Sequence, residues 1–170
     1  MAGITGTAVE AEAPKAKSDS PQPYLFVCSG NTCRSPMAAA MFNYLFGADG
    51  RRAVSAGLVA NGSPISSGAL HALEKRGVPS TADNDYKNHV SRLVTRADLA
   101  GARLVVAVTG FHATQLIMKF PEYATKITVM PEDVPDPYGG SDEEYETCLG
   151  QIEDALKRVF PPPAGKPDVR

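Results

Sequence analysis

The order of apolar segments constrains the fold of this chain more than any other sequence feature. Tyr24–Cys28 is a short apolar run typical of a buried strand, and residues 35–46 place apolar side chains at helical spacing, with Ser35 as the expected N-cap. The alternation continues through predicted strands at 54–56, 104–109 and 127–129 and predicted helices at 67–76, 111–120 and 142–159. Strands separated by helices predict an α/β fold with three α-β-α layers, in which helices flank a parallel sheet.

The two ends of the chain lack the large apolar side chains that a folded segment buries. Residues 1–23 are rich in Ala, Pro, Gly, Thr and Lys, and residues 161–170 begin with three prolines. We therefore predict a disordered tail at 1–23 and a flexible tail at 161–170. Residues 24–160 between them have the size of one domain.

Charge and cysteine content argue against several classes of protein. The 17 basic and 19 acidic residues give a net charge of −2, without the basic excess typical of nucleic-acid-binding proteins. No apolar run approaches the roughly eighteen residues of a membrane span. Three cysteines do not suit a disulfide framework and favour a reducing compartment. We expect a cytoplasmic protein that binds neither nucleic acid nor membrane, and a monomer is favoured.

The loop after the first strand has the chemistry of a phosphate site. Small residues between a strand and a helix N-terminus present successive backbone N–H groups to one point, where they bind a tetrahedral dianion. Cys28 begins this loop, and the same field is expected to lower the pKa of its thiol. Arg34 offers a planar guanidinium that holds two phosphate oxygens, Gly30 permits the tight turn, and Ser35 can donate a hydrogen bond to a departing sulfur.

The spacing from Cys28 to Arg34 is weak evidence alone, because three cysteines make a chance match easy; the flanking strand and helix make the phosphate site credible. Neither of the common glycine-rich nucleotide-binding patterns is present. Cys28, Cys33, Cys148 and the three histidines also lack the paired spacings of a zinc site, so no metal and no cofactor are expected.

The segment Val-Cys-Ser-Gly-Asn-Thr-Cys-Arg-Ser-Pro-Met-Ala at 27–38 resembles the active-site signature of the low-molecular-weight protein phosphatases. The resemblance continues through Val-Ser-Ala-Gly at 54–57 and Asp-Pro-Tyr-Gly-Gly at 136–140. It implies a four-stranded parallel sheet and hydrolysis of a phosphorylated protein through a phosphocysteine, without metal. It also implies that Asn31, Ser55 and His89 brace the loop. The residues expected to contact substrate are Ser29, Gly30, Asn31, Thr32, Cys33, Ser35 and Tyr138.

Asp136 is the candidate general acid that protonates the leaving group. It lies between two prolines in a loop after a strand, and the prolines can hold its carboxyl over a pocket. Asp-Pro is also ordinary turn chemistry, so the residues alone leave an exposed turn as the alternative. The resemblance implies the acid, because the Asp-Pro pair carries that role in the family.

Two positions bear on the substrate. At position 32 the tyrosine-specific members commonly have a bulky aliphatic residue, so that a threonine there resembles the protein-arginine phosphatase branch. The Thr32 hydroxyl can accept a hydrogen bond from a guanidinium leaving group. The alternative is that Thr32 is an ordinary loop residue. Gly139 replaces a second aromatic residue of many tyrosine-specific relatives, whereas Tyr138 can stack on either leaving group. We lean to phosphoarginine, with phosphotyrosine as the alternative.

Other interpretations stay open at the level of the sequence. Cys33 is close enough to Cys28 for a regulatory disulfide, or it is a plain thiol of the loop wall. An oxidoreductase of the arsenate reductase type would need relay cysteines, and only Cys148 lies outside the loop. A non-catalytic phosphate-binding module would need no acid, which Asp136 argues against.

Overall fold

The computed structural model describes residues 21–162. Within this range it contains four strands: β1 (Tyr24–Cys28), β2 (Ala53–Gly57), β3 (Leu104–Ala107) and β4 (Ile127–Val129). Its α-helices are α1 (Arg34–Phe46), α2 (Ser67–Lys75), α3 (Arg96–Gly101), α4 (Gly110–Lys119) and α5 (Asp142–Val159). Residues 21–23 and 161–162 have no regular structure, and the remainder of the two predicted tails lies outside the described residues.

The strands form one parallel sheet in the order β2-β1-β3-β4. Side chains of β1 alternate between its two faces. Phe26 packs into a cluster with buried residues of α1, α2 and α5, and Leu25 and Val27 pack with Leu99 of α3 and Leu116 of α4. The predicted three-layer fold with a four-stranded parallel sheet is confirmed.

The strand order places three loops at one edge of the sheet. The chain passes from β1 to β2 on one side and then returns to β3 on the other side of β1, so the order reverses between β1 and β3. Ligands of open parallel sheets bind at such a reversal, beyond the carboxyl ends of the strands. The phosphate loop follows β1, the start of α4 follows β3, and the acid loop, residues 130–141, follows β4.

The predicted boundaries of β2, β3, α1, α2 and α4 differ from the observed ones by one or two residues, and two of these differences concern the site. α1 begins at Arg34 with Cys33 at the N-cap position, because the hydroxyl of Ser35 points to Cys28 instead of capping the helix. β3 ends at Ala107, and Thr109 is instead the N-cap of α4, where its side chain accepts a hydrogen bond from the backbone N–H of His112. α3 was not predicted, since six residues with one buried apolar side chain show no periodicity.

None of the helices in the described part of the chain is both long enough and apolar enough to cross a membrane.

Candidate active site

Cys28 ends β1 and is 3% exposed. Its Sγ lies 2.9 Å from Ser35 Oγ, and the backbone N–H of Asn31 donates to it at 3.3 Å. The loop wraps around the sulfur and delivers the chain directly into α1, whose first backbone N–H groups carry the positive end of the helix dipole. The sulfur is thus buried among hydrogen-bond donors.

Burial raises the pKa of the Cys28 thiol above its ordinary value. The hydrogen bonds from Ser35 and Asn31 and the positive charge of Arg34 act in the opposite direction. The lowered pKa expected from the sequence is therefore wrong for the contacts of this structure, because closure of the loop removes the sulfur from water. The opposing contacts are the ones that stabilise a thiolate.

Asn31 joins the loop to its supports. It is fully buried and adopts a left-handed backbone with φ 56°, and its Nδ2 donates to Ser35 Oγ and Ser55 Oγ, each at 2.9 Å. His89 Nε2 donates to the Asn31 carbonyl at 2.8 Å, and the backbone N–H of Arg92 donates to Asn31 Oδ1 at 3.0 Å. Burial lowers the pKa of His89. The hydrogen bonds of Ser55 and His89 to the loop are therefore made to Asn31 and not to Cys28.

β2 approaches the loop so closely that only glycine fits at its end. A Cβ on Gly57 would lie 2.5 Å from the Ser29 carbonyl oxygen and 2.9 Å from Asn31 Cβ. The next two residues pair with the start of the loop, because Leu58 N–H donates to the Cys28 carbonyl and Val59 N–H donates to the Ser29 carbonyl, both at 3.0 Å. This pairing fixes the path of the chain immediately after the sulfur.

Ser66 and Tyr145 hold the far side of the loop, and the sequence did not reveal either. The backbone N–H of Ser66 donates to the Thr32 carbonyl at 2.9 Å, and its hydroxyl accepts from Cys33 Sγ at 3.2 Å. Tyr145 OH lies 3.4 Å from Cys33 Sγ, and burial raises the pKa of Tyr145 to about 12. Both come from helix termini far along the chain, α2 and α5, and neither has a local motif.

Arg34 and Asp136 meet at the mouth of the loop. Arg34 is 7% exposed; its NH1 donates to the Val134 carbonyl at 3.2 Å and its NH2 lies 3.5 Å from Asp136 Oδ2. The Asp136 side chain is 54% exposed, and its Oδ1 accepts from the backbone N–H of Tyr138 at 3.1 Å. The predicted nucleophile, guanidinium and acid thus converge from β1, α1 and the acid loop.

One cavity of about 750 Å³ opens above these groups. Its lining includes eight of the predicted site residues: Cys28, Gly30, Asn31, Thr32, Cys33, Arg34, Asp136 and Tyr138. Val59, Ile65 and Ser66 also line the cavity. Ser29 and Ser35 belong to the loop but are outside this lining, and Ser55 and His89 contact the loop from behind through Asn31.

Ser29 has a partner that the sequence did not reveal. Its hydroxyl lies 2.9 Å from Nε2 of His112, a buried residue of α4. A lone histidine on an amphipathic helix carries no recognisable motif, so no sequence signal could have identified it.

Comparison with known proteins bears directly on this site. The family described as low molecular weight phosphotyrosine protein phosphatase matches residues 24–163. The chain belongs to this family. The predicted family is confirmed, and with it the enzyme class, a cysteine-dependent protein phosphatase.

Similar proteins with different named substrates resemble the chain about equally. The chain is 35% identical to the protein-arginine-phosphatase of Bacillus subtilis (strain 168), over 79% of this chain and 92% of that protein. The structure of a low molecular weight protein tyrosine phosphatase from T. tengcongensis is 36% identical, with a TM-score of 0.75, over 82% of this chain and 97% of that one. A third relative is a mutant of the YwlE arginine phosphatase with a phosphorylated active-site serine. It is 31% identical, with a TM-score of 0.73, over 81% of this chain and 92% of that one.

Proposed function

We propose that the protein removes phosphoryl groups from protein side chains through a phosphocysteine at Cys28, with phosphoarginine as the favoured substrate. The observation that carries the proposal is that the Cys28 sulfur, the Arg34 guanidinium and the Asp136 carboxyl line the same cavity. The relative with a phosphorylated serine in its active site supports a covalent intermediate. Together these three groups supply a nucleophile, a cation that stabilises negative charge and an acid for the leaving group.

In the first step the Cys28 thiolate attacks phosphorus. The S–P bond forms while the bond from phosphorus to the leaving nitrogen or oxygen breaks, and Asp136 gives its proton to that departing atom. Arg34 and the loop N–H groups hold the three remaining phosphoryl oxygens. These donors are in position before the reaction begins, so they stabilise the transition state without reorganising.

In the second step water attacks the phosphocysteine. Asp136, now ionised, takes a proton from the water; the new O–P bond forms and the S–P bond breaks. The sulfur leaves as a thiolate, which accepts hydrogen bonds from Ser35 Oγ and from the backbone N–H of Asn31. Inorganic phosphate departs and the starting thiolate is restored.

Thr32 supports the preference for phosphoarginine. Its half-buried side chain lines the cavity, and among the described residues its hydroxyl has only a weak contact, 3.6 Å from Cys33 Sγ. A guanidinium leaving group brings N–H donors that need acceptors, and an unpaired buried donor costs about 1–3 kcal/mol. The Thr32 hydroxyl offers such an acceptor, and an aliphatic side chain would not.

Phosphotyrosine remains the second candidate substrate. Tyr138 is 73% exposed beside Asp136 and offers its ring to either a phenyl group or a guanidinium plane. The tyrosine phosphatase from T. tengcongensis is also as similar to the chain as the arginine phosphatase is.

The rival chemistry of a cysteine relay has little support. Cys148, the cysteine outside the loop, is buried in α5, and burial raises its pKa to about 12. Its Sγ is 3.9 Å from the Pro135 carbonyl, beneath the acid loop. A buried thiol with a raised pKa is a poor nucleophile for a relay.

The test of the reaction is Cys28→Ser. We expect no steady-state turnover of a phosphopeptide by this variant, while the parent protein, quenched within one turnover in acid, carries one phosphoryl group on Cys28 by mass spectrometry. Normal turnover by the variant would exclude the mechanism.

The test of the substrate is a side-by-side assay of peptides that differ only in phosphoarginine or phosphotyrosine. We expect the higher kcat/KM for phosphoarginine, and we expect Thr32→Ile to lower it about tenfold, since about 1.4 kcal/mol is tenfold. Thr32→Ser, which keeps the hydroxyl, is the matched control. A large preference for phosphotyrosine, or no effect of Thr32→Ile, would exclude the preference for arginine.

We also propose that the protein acts in the cytoplasm, as its three free cysteines favour a reducing compartment.

A further inference from the structure

His112 is a buried titratable residue that the two-step reaction does not use. It is 2% exposed and lies in the first turn of α4. Its Nε2 is 2.9 Å from Ser29 Oγ and its Nδ1 is 2.9 Å from Thr109 Oγ1. One imidazole ring therefore bridges the residue after the nucleophile and the N-cap of α4.

The ring is neutral at the pH of most assays. Burial, together with the positive charge of Arg34, lowers the pKa of His112 to about 4, whereas Asp136 and Asp133 act in the opposite direction. A neutral imidazole has one N–H donor and one acceptor nitrogen. Both hydrogen bonds of the ring, to Thr109 and to Ser29, can therefore form in either tautomer, because each hydroxyl can donate or accept.

The same turn of α4 also holds the acid loop. The backbone N–H of Gly110 donates to Asp133 Oδ1 at 2.8 Å. Asp133 precedes Val134, whose carbonyl accepts from Arg34, and lies three residues before Asp136. The phosphate loop and the acid loop are therefore attached to two neighbouring points of one rigid helix start.

We propose that His112 is a positioning residue, which together with Gly110 and Asp133 makes the first turn of α4 a bracket that fixes the acid loop relative to the phosphate loop. Through Ser29 the bracket holds the loop that carries the nucleophile, and through Asp133 it holds the loop that carries the acid. This inference rests on the proposed two-step reaction and assigns to α4 a part in it.

A bracket of this kind has a specific kinetic signature. Release of either attachment lets Asp136 drift relative to a leaving group that is bound to phosphorus in the phosphate loop. A displaced Asp136 transfers its proton more slowly, which lowers the rate only for a leaving group that needs a proton. A dinitrophenolate leaves without a proton, so an activated dinitrophenyl phosphate is the control substrate.

The experiment compares Ser29→Ala, Asp133→Ala and the double variant. We expect each single change to lower kcat/KM for a phosphotyrosine peptide about tenfold and for 2,4-dinitrophenyl phosphate less than about threefold. Because both contacts serve one bracket, the double variant is expected to lose no more than the worse single variant. Losses that multiply, or that are equal for the two substrates, would overturn the proposal.

Conservative variants separate positioning from folding. Asp133→Asn keeps an oxygen for Gly110 N–H, so we expect its kcat/KM to stay within about threefold of the parent value. We expect the same of His112→Gln, because the glutamine amide is long enough to reach Ser29. His112→Asn reaches only Thr109 and is expected to behave as Ser29→Ala does. Equal behaviour of His112→Gln and His112→Asn would contradict the proposal.

A control on the same helix is Thr114→Ala. It removes a hydroxyl that donates to the Gly110 carbonyl and should change the kinetics of neither substrate. A loss in this variant that matches the loss in Ser29→Ala would assign the effect to the stability of α4 and overturn the bracket.

The outcomes distinguish this inference from the proposed function. A parent protein that hydrolyses neither of these substrates, nor a phosphoarginine peptide, would overturn the function itself. A parent that is active, with variants that lack the expected pattern, would overturn only the role of the bracket.

Discussion

The phosphate loop and the acid loop supply the two halves of one reaction, but they are built in opposite ways. The phosphate loop is buried: Asn31, Cys28 and Arg34 are 0%, 3% and 7% exposed, and hydrogen bonds reach the loop from β2, α2, α4 and α5. In the acid loop Asp136 and Tyr138 are exposed, and Gly139 has a φ of 77°. Buried Val134 and the contacts of Asp133 and Arg34 attach this loop at its base.

The difference reflects what each half has to recognise. Every substrate brings the same tetrahedral phosphoryl group, and fixed donors stabilise its transition state without reorganisation. Leaving groups differ in shape and charge, and an exposed loop with few internal contacts adjusts at low cost. We therefore expect changes in the phosphate-loop side chains that line the cavity to affect all substrates, and changes in the acid loop to depend on the leaving group.

Arg34→Lys is expected to have the largest effect and would sharpen the comparison. Lysine keeps the charge but loses the planar fork and the bond to Val134, so we expect kcat/KM to fall about a thousandfold for every substrate. Steady-state kinetics with a phosphopeptide and an activated aryl phosphate measure this. A loss confined to one of the two substrates would break the comparison.

Asp136→Asn is expected to have a smaller effect that depends on the substrate. The amide cannot donate the proton as a carboxylic acid does, so we expect kcat/KM for a phosphotyrosine peptide to fall about a hundredfold and that for 2,4-dinitrophenyl phosphate to change much less. The inhibition constant of inorganic phosphate should remain close to that of the parent. Equal losses for both substrates would show that Asp136 acts on phosphoryl binding and not on the leaving group.

Ser35→Ala tests the electrostatics of the buried half through pH. The Ser35 hydrogen bond lowers the pKa of Cys28 against the effect of burial, so its removal raises that pKa further. The thiolate then forms at higher pH, and the acidic limb of the kcat/KM profile is expected to move to higher pH, with about a tenfold loss on the acidic side. An unmoved limb would mean that the limb reports another group. Direct titration of the thiol by alkylation rate provides the check.

Tyr138→Ala is expected to have the smallest effect. The side chain is 73% exposed and contributes only one face to the substrate, so we expect KM for a phosphopeptide to rise about threefold with little change in kcat. Tyr138→Phe should behave as the parent does. A large fall in kcat would indicate that this side chain also positions Asp136, whose Oδ1 accepts from the Tyr138 N–H.

The sequence was most informative where the site is local. Cys28, Arg34 and Ser35 are close along the chain, and their spacing between a strand and a helix has a direct chemical meaning. The bounds of β1, β4 and α5 were also predictable, since each is a plain apolar or amphipathic run. The short α3 and the actual N-cap of α1 were not, because each depends on contacts rather than on periodicity.

The supports of the site were hidden because they are distant in sequence. His112 is 83 residues from Ser29, Ser66 is 33 residues from Cys33, and Tyr145 is 112 residues from Cys33. Serine, histidine and tyrosine on helices are ordinary residues until the fold brings them to the loop. The effect of burial on the Cys28 thiol was missed for the same reason, since burial is a property of the closed structure.

The return of the chain across β1 also has a consequence for how the protein is made. Cys28 is synthesised before the residues that complete its site, because Arg34 meets Val134 across 100 residues and Tyr145 belongs to α5. Because closing such long loops costs conformational entropy, we expect these contacts to form late in folding. We therefore expect a nascent chain to carry a cysteine without a complete pocket, and phosphatase activity to begin only after α5 has docked.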